Sequence, residues 1–312
     1  MRLARSSRSR AATKWHSRES PILRIELIVD AHASLGEGPL WDVDEQRLYW
    51  IDSLAPAVHV CDTNGGSRRT WPLPEPIGSL ALRRKGDGAV LALQSGFHFL
   101  DFASGAVVRI AEPDPGKPRI RMNDGKVDRR GRFVAGYMDT HEADPLCGLF
   151  SLAPDLSVRQ LDRGIICSNG PCWSLDGSTL YFADTTLKVI YAYDYDLATG
   201  AVANRRVFAS FEKLRGYPDG ATVDAEGFVW SVEVYSGRLI RFAPDGSVDR
   251  MVGLPVDSTT SISFGGPNLD IGFVTSMARP IGGVPPSERE AGGLFAVHGL
   301  GVRGVPEPRF DG

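Results

Sequence analysis

The chain repeats one pattern of apolar and polar positions. An apolar stretch meets a polar turn bearing Asp or Gly, and a short run rich in Val, Ile, Phe, Tyr and Trp follows. Leu40-Trp41-Asp42 passes through Asp44-Glu45-Gln46 into Arg47–Asp52, and Leu80-Ala81-Leu82 through Gly86-Asp87-Gly88 into Ala89–Leu93. Gly125–Asp128 passes through Gly131 into Arg132–Gly136, and Pro171-Cys172-Trp173 through Asp176-Gly177 into Thr179–Asp184. Ala221–Asp224 passes through Glu226-Gly227 into Phe228–Val232, and Ile262-Ser263-Phe264 through Gly265-Gly266-Pro267 into Ile271–Thr275. β-Branched and aromatic runs bounded by Gly and Asp turns predict strands. The turn glycines Gly88, Gly131, Gly177 and Gly227 recur at the ~40–50-residue spacing of a propeller blade.

A second family of runs follows the first: Ala57–Asp62, Gly148–Leu152, Val189–Asp194, Arg238–Phe242 and Gly293–Val297. These read as third strands, some leading to a hairpin such as Pro244-Asp245-Gly246. Units of about 45 residues fill residues 22–308 six times. The pattern therefore predicts an all-β fold, a six-bladed β-propeller with four-stranded antiparallel blades. A large sandwich or a solenoid would share the repeat length. Trp41, Trp50, Trp173 and Trp230 fall at repeat-equivalent places and read as blade core. Phe208–Arg215 reads as a short turn of helix.

Composition narrows the partners. The 312 residues carry 35 Lys+Arg against 38 Asp+Glu, a net charge of −3, without the basic surplus of a nucleic-acid binder. No apolar run reaches the ~18 residues of a membrane helix. Residues 1–20 differ: Arg2, Arg5, Arg8, Arg10, Lys14 and Arg18 alternate with Ser and Ala, and the first acid is Glu19. Transit peptides share that composition, but the poor amphipathicity favours a disordered basic extension. The propeller would then occupy residues 21–312 as one domain. Cys61, Cys147, Cys167 and Cys172 form no C-x-x-C pair and follow no secretory signal, so they read as reduced thiols of a cytoplasmic protein.

Four loops rich in Gly and Pro precede first strands: Leu35–Pro39, Arg121–Gly125, Ser168–Pro171 and Tyr217–Gly220. Any one of them reads as a turn. At corresponding places of a propeller they would surround one axis, bringing together Glu37, Asn123 or Asp124, Asn169 and Asp219. Oxygen donors of this kind suit a hard divalent cation. Other signals carry no chemistry. Gly299-Leu300-Gly301-Val302-Arg303-Gly304 matches a dinucleotide fingerprint, but too few residues follow it for a βαβ unit. There is no G-x-S-x-G elbow, and the six histidines form no close pair.

The segments LGEGPLWD, RMNDGKVDRRGRF, NGPCWSLDGSTLYFADT, YPDGATVDAEGFVW and FGGPNLD occur in this order across about residues 30–300. Together they resemble the senescence marker protein, gluconolactonase and luciferin-regenerating-enzyme family. The resemblance implies a six-bladed propeller and a metal-dependent sugar lactonase. It implies metal ligation by Glu37, Asn169 and Asp219, with one divalent cation, Ca²⁺ before Mg²⁺, Mn²⁺, Fe²⁺ or Zn²⁺. It implies substrate contacts from Arg121 and Asn123, and from Glu142 after Gly136-Tyr137-Met138-Asp139-Thr140-His141. Tyr137 stands where the family has Thr, and animal members place the acid one residue earlier, at the position of His141. Asp219 is the candidate general base for water attack on a lactone carbonyl, with Arg121 on the oxyanion. Two alternatives are another ester or organophosphate substrate and a noncatalytic calcium-binding propeller. Arg121, His141, Arg215 and Lys188, if gathered at the mouth, would favour an acidic sugar.

Overall fold

The computed structural model describes residues 22–280 and 283–312. The basic extension expected over residues 1–20 lies outside them. Strand β1 (Arg24–Val29) is followed by five runs of four consecutive antiparallel strands. Blade 1 holds β2 (Gly36–Asp42), β3 (Arg47–Asp52), β4 (Ala57–Cys61) and β5 (Arg69–Pro72). Blade 2 holds β6 (Ile77–Leu82), β7 (Gly88–Leu93), β8 (Gly96–Asp101) and β9 (Val107–Ala111). Blade 3 holds β10 (Ile120–Val127), β11 (Phe133–Asp139), β12 (Cys147–Leu152) and β13 (Val158–Ile165). Blade 4 holds β14 (Ser168–Trp173), β15 (Thr179–Asp184), β16 (Val189–Asp196) and β17 (Ala201–Ser210). Blade 5 holds β18 (Tyr217–Val223), β19 (Val229–Val234), β20 (Arg238–Phe242) and β21 (Val248–Gly253).

Blade 6 is composite. β22 (Thr259–Gly265), β23 (Ile271–Ser276) and β24 (Leu294–His298) supply three strands, and β1 pairs with β24 as the fourth. Arg24 lies opposite His298 and Val29 opposite Leu294, so the two ends of the chain close the ring. The first strand of each blade packs against those of its neighbours around the axis. The predicted six-bladed, all-β architecture is the one observed.

Burial follows strand position. First and second strands are covered on both faces by neighbouring blades and read as near-continuous apolar runs, as β7 and β15 do. Outer strands such as β9 and β17 keep exposed positions. Aromatic contacts join the blades: Phe97 meets Phe133 edge-on, ring centres 5.8 Å apart, and Trp230 meets Phe264 at 5.9 Å. Trp41, Trp50, Trp173 and Trp230 are all buried, as blade core. The expected turn of helix at Phe208–Arg215 does not form. β17 runs through Ser210, because Phe208 packs on Tyr181 and Val207 lies opposite Tyr191. A turn, not a helix, follows it. The four cysteines are free and buried. Among the described residues no helix is long and apolar enough to cross a membrane.

Candidate active site

Every first strand carries one extra residue against its second strand. The register slips between Glu37 and Leu40, Ile77 and Ser79, Met122 and Gly125, Asn169 and Cys172, Pro218 and Ala221, and Thr259 and Ile262. A bulge of this kind re-aims the side chains beside it. Glu37, Asn123, Asn169 and Asp219 sit at or within four of these slips. The Gly-Pro and Asn-Gly pairs that mark the loops in the sequence are thus the bulges themselves, with Gly38 and Gly170 both left-handed at φ 53°.

A second device fixes the approach to three of these residues. Asp52 accepts hydrogen bonds from the Ser34 and Leu35 amides at 2.7 and 3.1 Å. Asp184 accepts from the Ile166 and Cys167 amides at 3.0 and 3.2 Å. Glu233 accepts from the Gly216 amide at 2.7 Å. Each acid lies at or next to the end of a second strand, and each grips the backbone two or three residues before Glu37, Asn169 or Asp219. The sequence signal, an acid recurring where β3, β15 and β19 end, was present but not read.

These elements enclose a cavity of about 470 Å³ at the mouth of the central channel. Glu37, Arg121, Asn123, Glu142, Asn169 and Asp219 all line it. A hydrogen-bonded chain crosses its floor. Arg121 Nη1 donates to Asn123 Oδ1 (2.8 Å), and Asn123 Nδ2 to Asn169 Oδ1 (3.0 Å) and the Ser168 carbonyl (2.8 Å). Asn169 Nδ2 donates to Thr185 Oγ1 (2.8 Å), which donates to the Pro218 carbonyl (2.8 Å). Asn169 Oδ1 thereby faces the cavity with a lone pair to spare. Glu142 stands at the rim in a left-handed conformation, φ 52°, its amide bonded to the Asp139 carbonyl. Asp139 fixes that turn by accepting from the amides of His141, Ala143 and Asp144, and Arg119 reinforces it at 2.7 Å.

The electrostatics are those of crowded, buried acids. Burial, then Asp124, pushes the Glu37 carboxyl up to about 8. Burial, then Glu37, Asp124 and Glu142, holds Asp219 well above the ordinary carboxylate range. No salt bridge reaches Glu37 or Asp219 among the described residues. Two buried acids beside an amide oxygen, without a paired base, fit a hard cation. Cys167 also lines the cavity, its thiol raised by burial, then by Glu142 and Asp219.

The cations at the mouth differ from the sequence expectation. Lys188 stacks on the Tyr217 ring at 4.2 Å, and exposed Arg215 pairs with Asp257 at 3.3 Å. Neither lines the cavity, nor does exposed His141. Arg279, Tyr235 and Met277 line it instead, from loops after the second strands of blades 5 and 6. Those loops vary in length and composition between blades, so the repeat gave no register for them.

The model of the SMP-30/gluconolactonase/LRE-like family matches residues 35–278. Regucalcin from Xenopus laevis is 37% identical over 298 residues, covering 93% of this chain and 99% of its own. Among solved structures, a luciferin-regenerating enzyme superposes with a TM-score of 0.85 at 26% identity, covering 93% of this chain and 99% of its own. A regucalcin from Agrobacterium tumefaciens, described as a calcium-binding protein, gives the same TM-score and identity, covering 91% and 96%. The chain belongs to the SMP-30/gluconolactonase/LRE-like family and is gluconolactonase-like in its class of enzyme.

Proposed function

We propose that the protein is a divalent-cation-dependent hydrolase that opens a sugar lactone to the aldonic acid. The observation that carries this reading is the floor of the cavity, where blades 1, 4 and 5 present two buried, unpaired acids and one oriented amide oxygen. Glu37, Asn169 and Asp219 would hold the cation. When bound it supplies Lewis-acid polarisation of the carbonyl, and Ca²⁺ is the first candidate.

The chain's own residues supply the rest. Arg121 and Asn123, locked to each other, bind the sugar hydroxyls, and Arg121 stabilises charge on the carbonyl oxygen. Glu142, at the rim, accepts hydrogen bonds from sugar hydroxyls. Asp219, in its ionised form, takes a proton from the attacking water. The new C–O bond forms at the carbonyl carbon, the ring ester C–O bond breaks, and the released ring oxygen takes up the proton. Burial raises the proton affinity of metal-free Asp219, a bound cation would lower it, and a strained lactone ester needs only a weak base. The four free, buried cysteines support a reducing compartment such as the cytoplasm.

The test is a pH-indicator assay on metal-stripped protein with glucono-, xylono-, arabinono- and galactonolactones, adding back each divalent ion. Turnover should return with metal and fall at least about a thousandfold in Asp219→Asn. A cation that raises Tm without supporting turnover of any lactone would refute the lactonase reading. It would leave another ester or organophosphate substrate, or a noncatalytic calcium-binding propeller.

A further inference from the structure

The cavity has two unlike halves. Blades 3 and 4 present hydrogen-bonding groups suited to hydroxyls: Arg121, Asn123, Asn169 and Thr185. The opposite wall is apolar, built from Leu35, Val234 and Met277 with Tyr217 and Tyr235 packed on them. Arg279 is the cationic side chain on that side of the cavity, which Glu37 of blade 1 and Asp219 of blade 5 also line.

Arg279 lies three residues beyond the end of β23, as Glu142 lies three beyond the end of β11. Their blades, 6 and 3, are diametrically opposed in a ring of six. An acid and a base thus face each other across the mouth. The Arg279 backbone is anchored, since its amide donates to the Ser34 carbonyl at 3.1 Å and the preceding amide to Ala33 at 2.8 Å. Its side chain reaches the Tyr235 hydroxyl but no acid. Nε is buried without a hydrogen-bond partner, and no carboxylate lies within salt-bridge distance among the described residues. Its charge is felt at Glu37, Arg121 and Tyr235.

A divalent cation held by Glu37 and Asp219 would be balanced by them, Arg121 lies within the fields of Glu37 and Glu142, and Asp124 is turned to Lys126 and the Gly125 and Gly170 amides. Arg279 has no acid within salt-bridge distance among the described residues. A guanidinium over an apolar wall, without an acid partner, gains more from an anionic group than from a neutral hydroxyl. We propose that Arg279 selects a lactone carrying an anionic group, a carboxylate or a phosphate, on the carbon chain away from the ring carbonyl. This rests on the lactonase reading and adds the substrate's charge to it.

The test uses the cation-loaded full chain and three lactones: glucono-1,5-lactone, a glucarolactone and 6-phosphoglucono-1,5-lactone. An anionic lactone should be preferred by about tenfold or more in kcat/KM, and the better of the two names the acid. Arg279→Gln should lose about tenfold or more on that lactone and stay within about threefold on the neutral one, with Arg279→Lys recovering most of the loss. Calorimetry provides a second readout: glucarate or 6-phosphogluconate should bind more tightly than gluconate, and Arg279→Gln should abolish the difference. A neutral lactone turned over as well as both anionic ones would overturn the inference and leave the lactonase reading standing. So would Arg279→Gln lowering all three equally, the mark of a residue that merely balances Glu37. If no lactone is turned over, the lactonase reading fails, and calorimetry still decides Arg279: acids bound no tighter than gluconate would overturn its assignment.

Discussion

Glu37 and Asp219 differ from surface carboxylates only in their surroundings. Burial first, then closeness to each other and to Asp124, raises their proton affinity, and Arg121 and Arg279 offset only part of it at Glu37. The consequence for stability has a definite sign. Glu37 rises from 4.5 to about 8, so the folded metal-stripped protein holds a proton that the unfolded chain has lost. Its contribution is complete below about pH 4.5 and disappears as pH rises through about 8, with a slope of up to ~1.4 kcal/mol per pH unit. Tm of metal-stripped protein should therefore fall between about pH 5 and 8, and Glu37→Gln should flatten that fall. A saturating cation should remove it, so the cation-induced rise in Tm grows with pH. A cation-induced shift independent of pH over that window would contradict this account. Repeat spacing and turn residues brought Glu37, Asn169 and Asp219 together and left Asn123 or Asp124 open; Asn123 lines the cavity, and Asp124 accepts from the Gly125 and Gly170 amides. Arg279 was not legible, because a lone arginine in a loop of unrepeated length has no register.

At the scale of elements, the second strands do more than fill the blades. Asp52, Asp184 and Glu233 each hold the chain just before a proposed cation ligand. Asp184 is itself buried, its carboxyl raised by burial against the pull of the amides it accepts. Asp184→Asn would turn an amide NH₂ towards those amides. It should cost about 1–3 kcal/mol in denaturant unfolding and weaken cation binding about tenfold, without altering any cavity-lining side chain. Unchanged cation affinity would show that Asp184 merely stabilises blade 4. Gly78 serves the neighbouring blade by its lack of a side chain, since a Cβ there would lie 2.4 Å from Asn123 Cα. The strands themselves were read from β-branched alternation and turn residues, but the four segments read as loops before first strands form the bulged starts of β2, β10, β14 and β18. The misread element, Phe208–Arg215, shows the limit: an edge strand with exposed polar positions has no strong period, and its pairing to β16 decides it.

For the whole molecule, closure of the ring is the governing fact. β1 closes it through β24, and the C-terminal segment braces the face opposite the cavity. Phe310, fully buried, bonds through its amide to Leu82 and through its carbonyl to Arg84. Glu307 reaches Lys126 in the channel at 3.0 Å. Burial pulls the Lys126 ammonium down, but Glu307, Cys172 and Asp124 together leave it above its ordinary value. Glu307→Gln should therefore cost about 2 kcal/mol in unfolding while sparing the cavity at the other end. An unchanged unfolding midpoint would remove this brace from the account. Neither closure was legible locally, because partners more than 180 residues apart share no pattern. The proposed function requires that one cation, held by blades 1, 4 and 5, make the cavity catalytic. The direct measurement is acid release from a sugar lactone while cation is titrated into metal-stripped protein. The account predicts a rate that rises linearly and breaks at one cation per chain, with Asn169→Ala shifting the break to a shallow curve. A rate equal in stripped and loaded protein would contradict it.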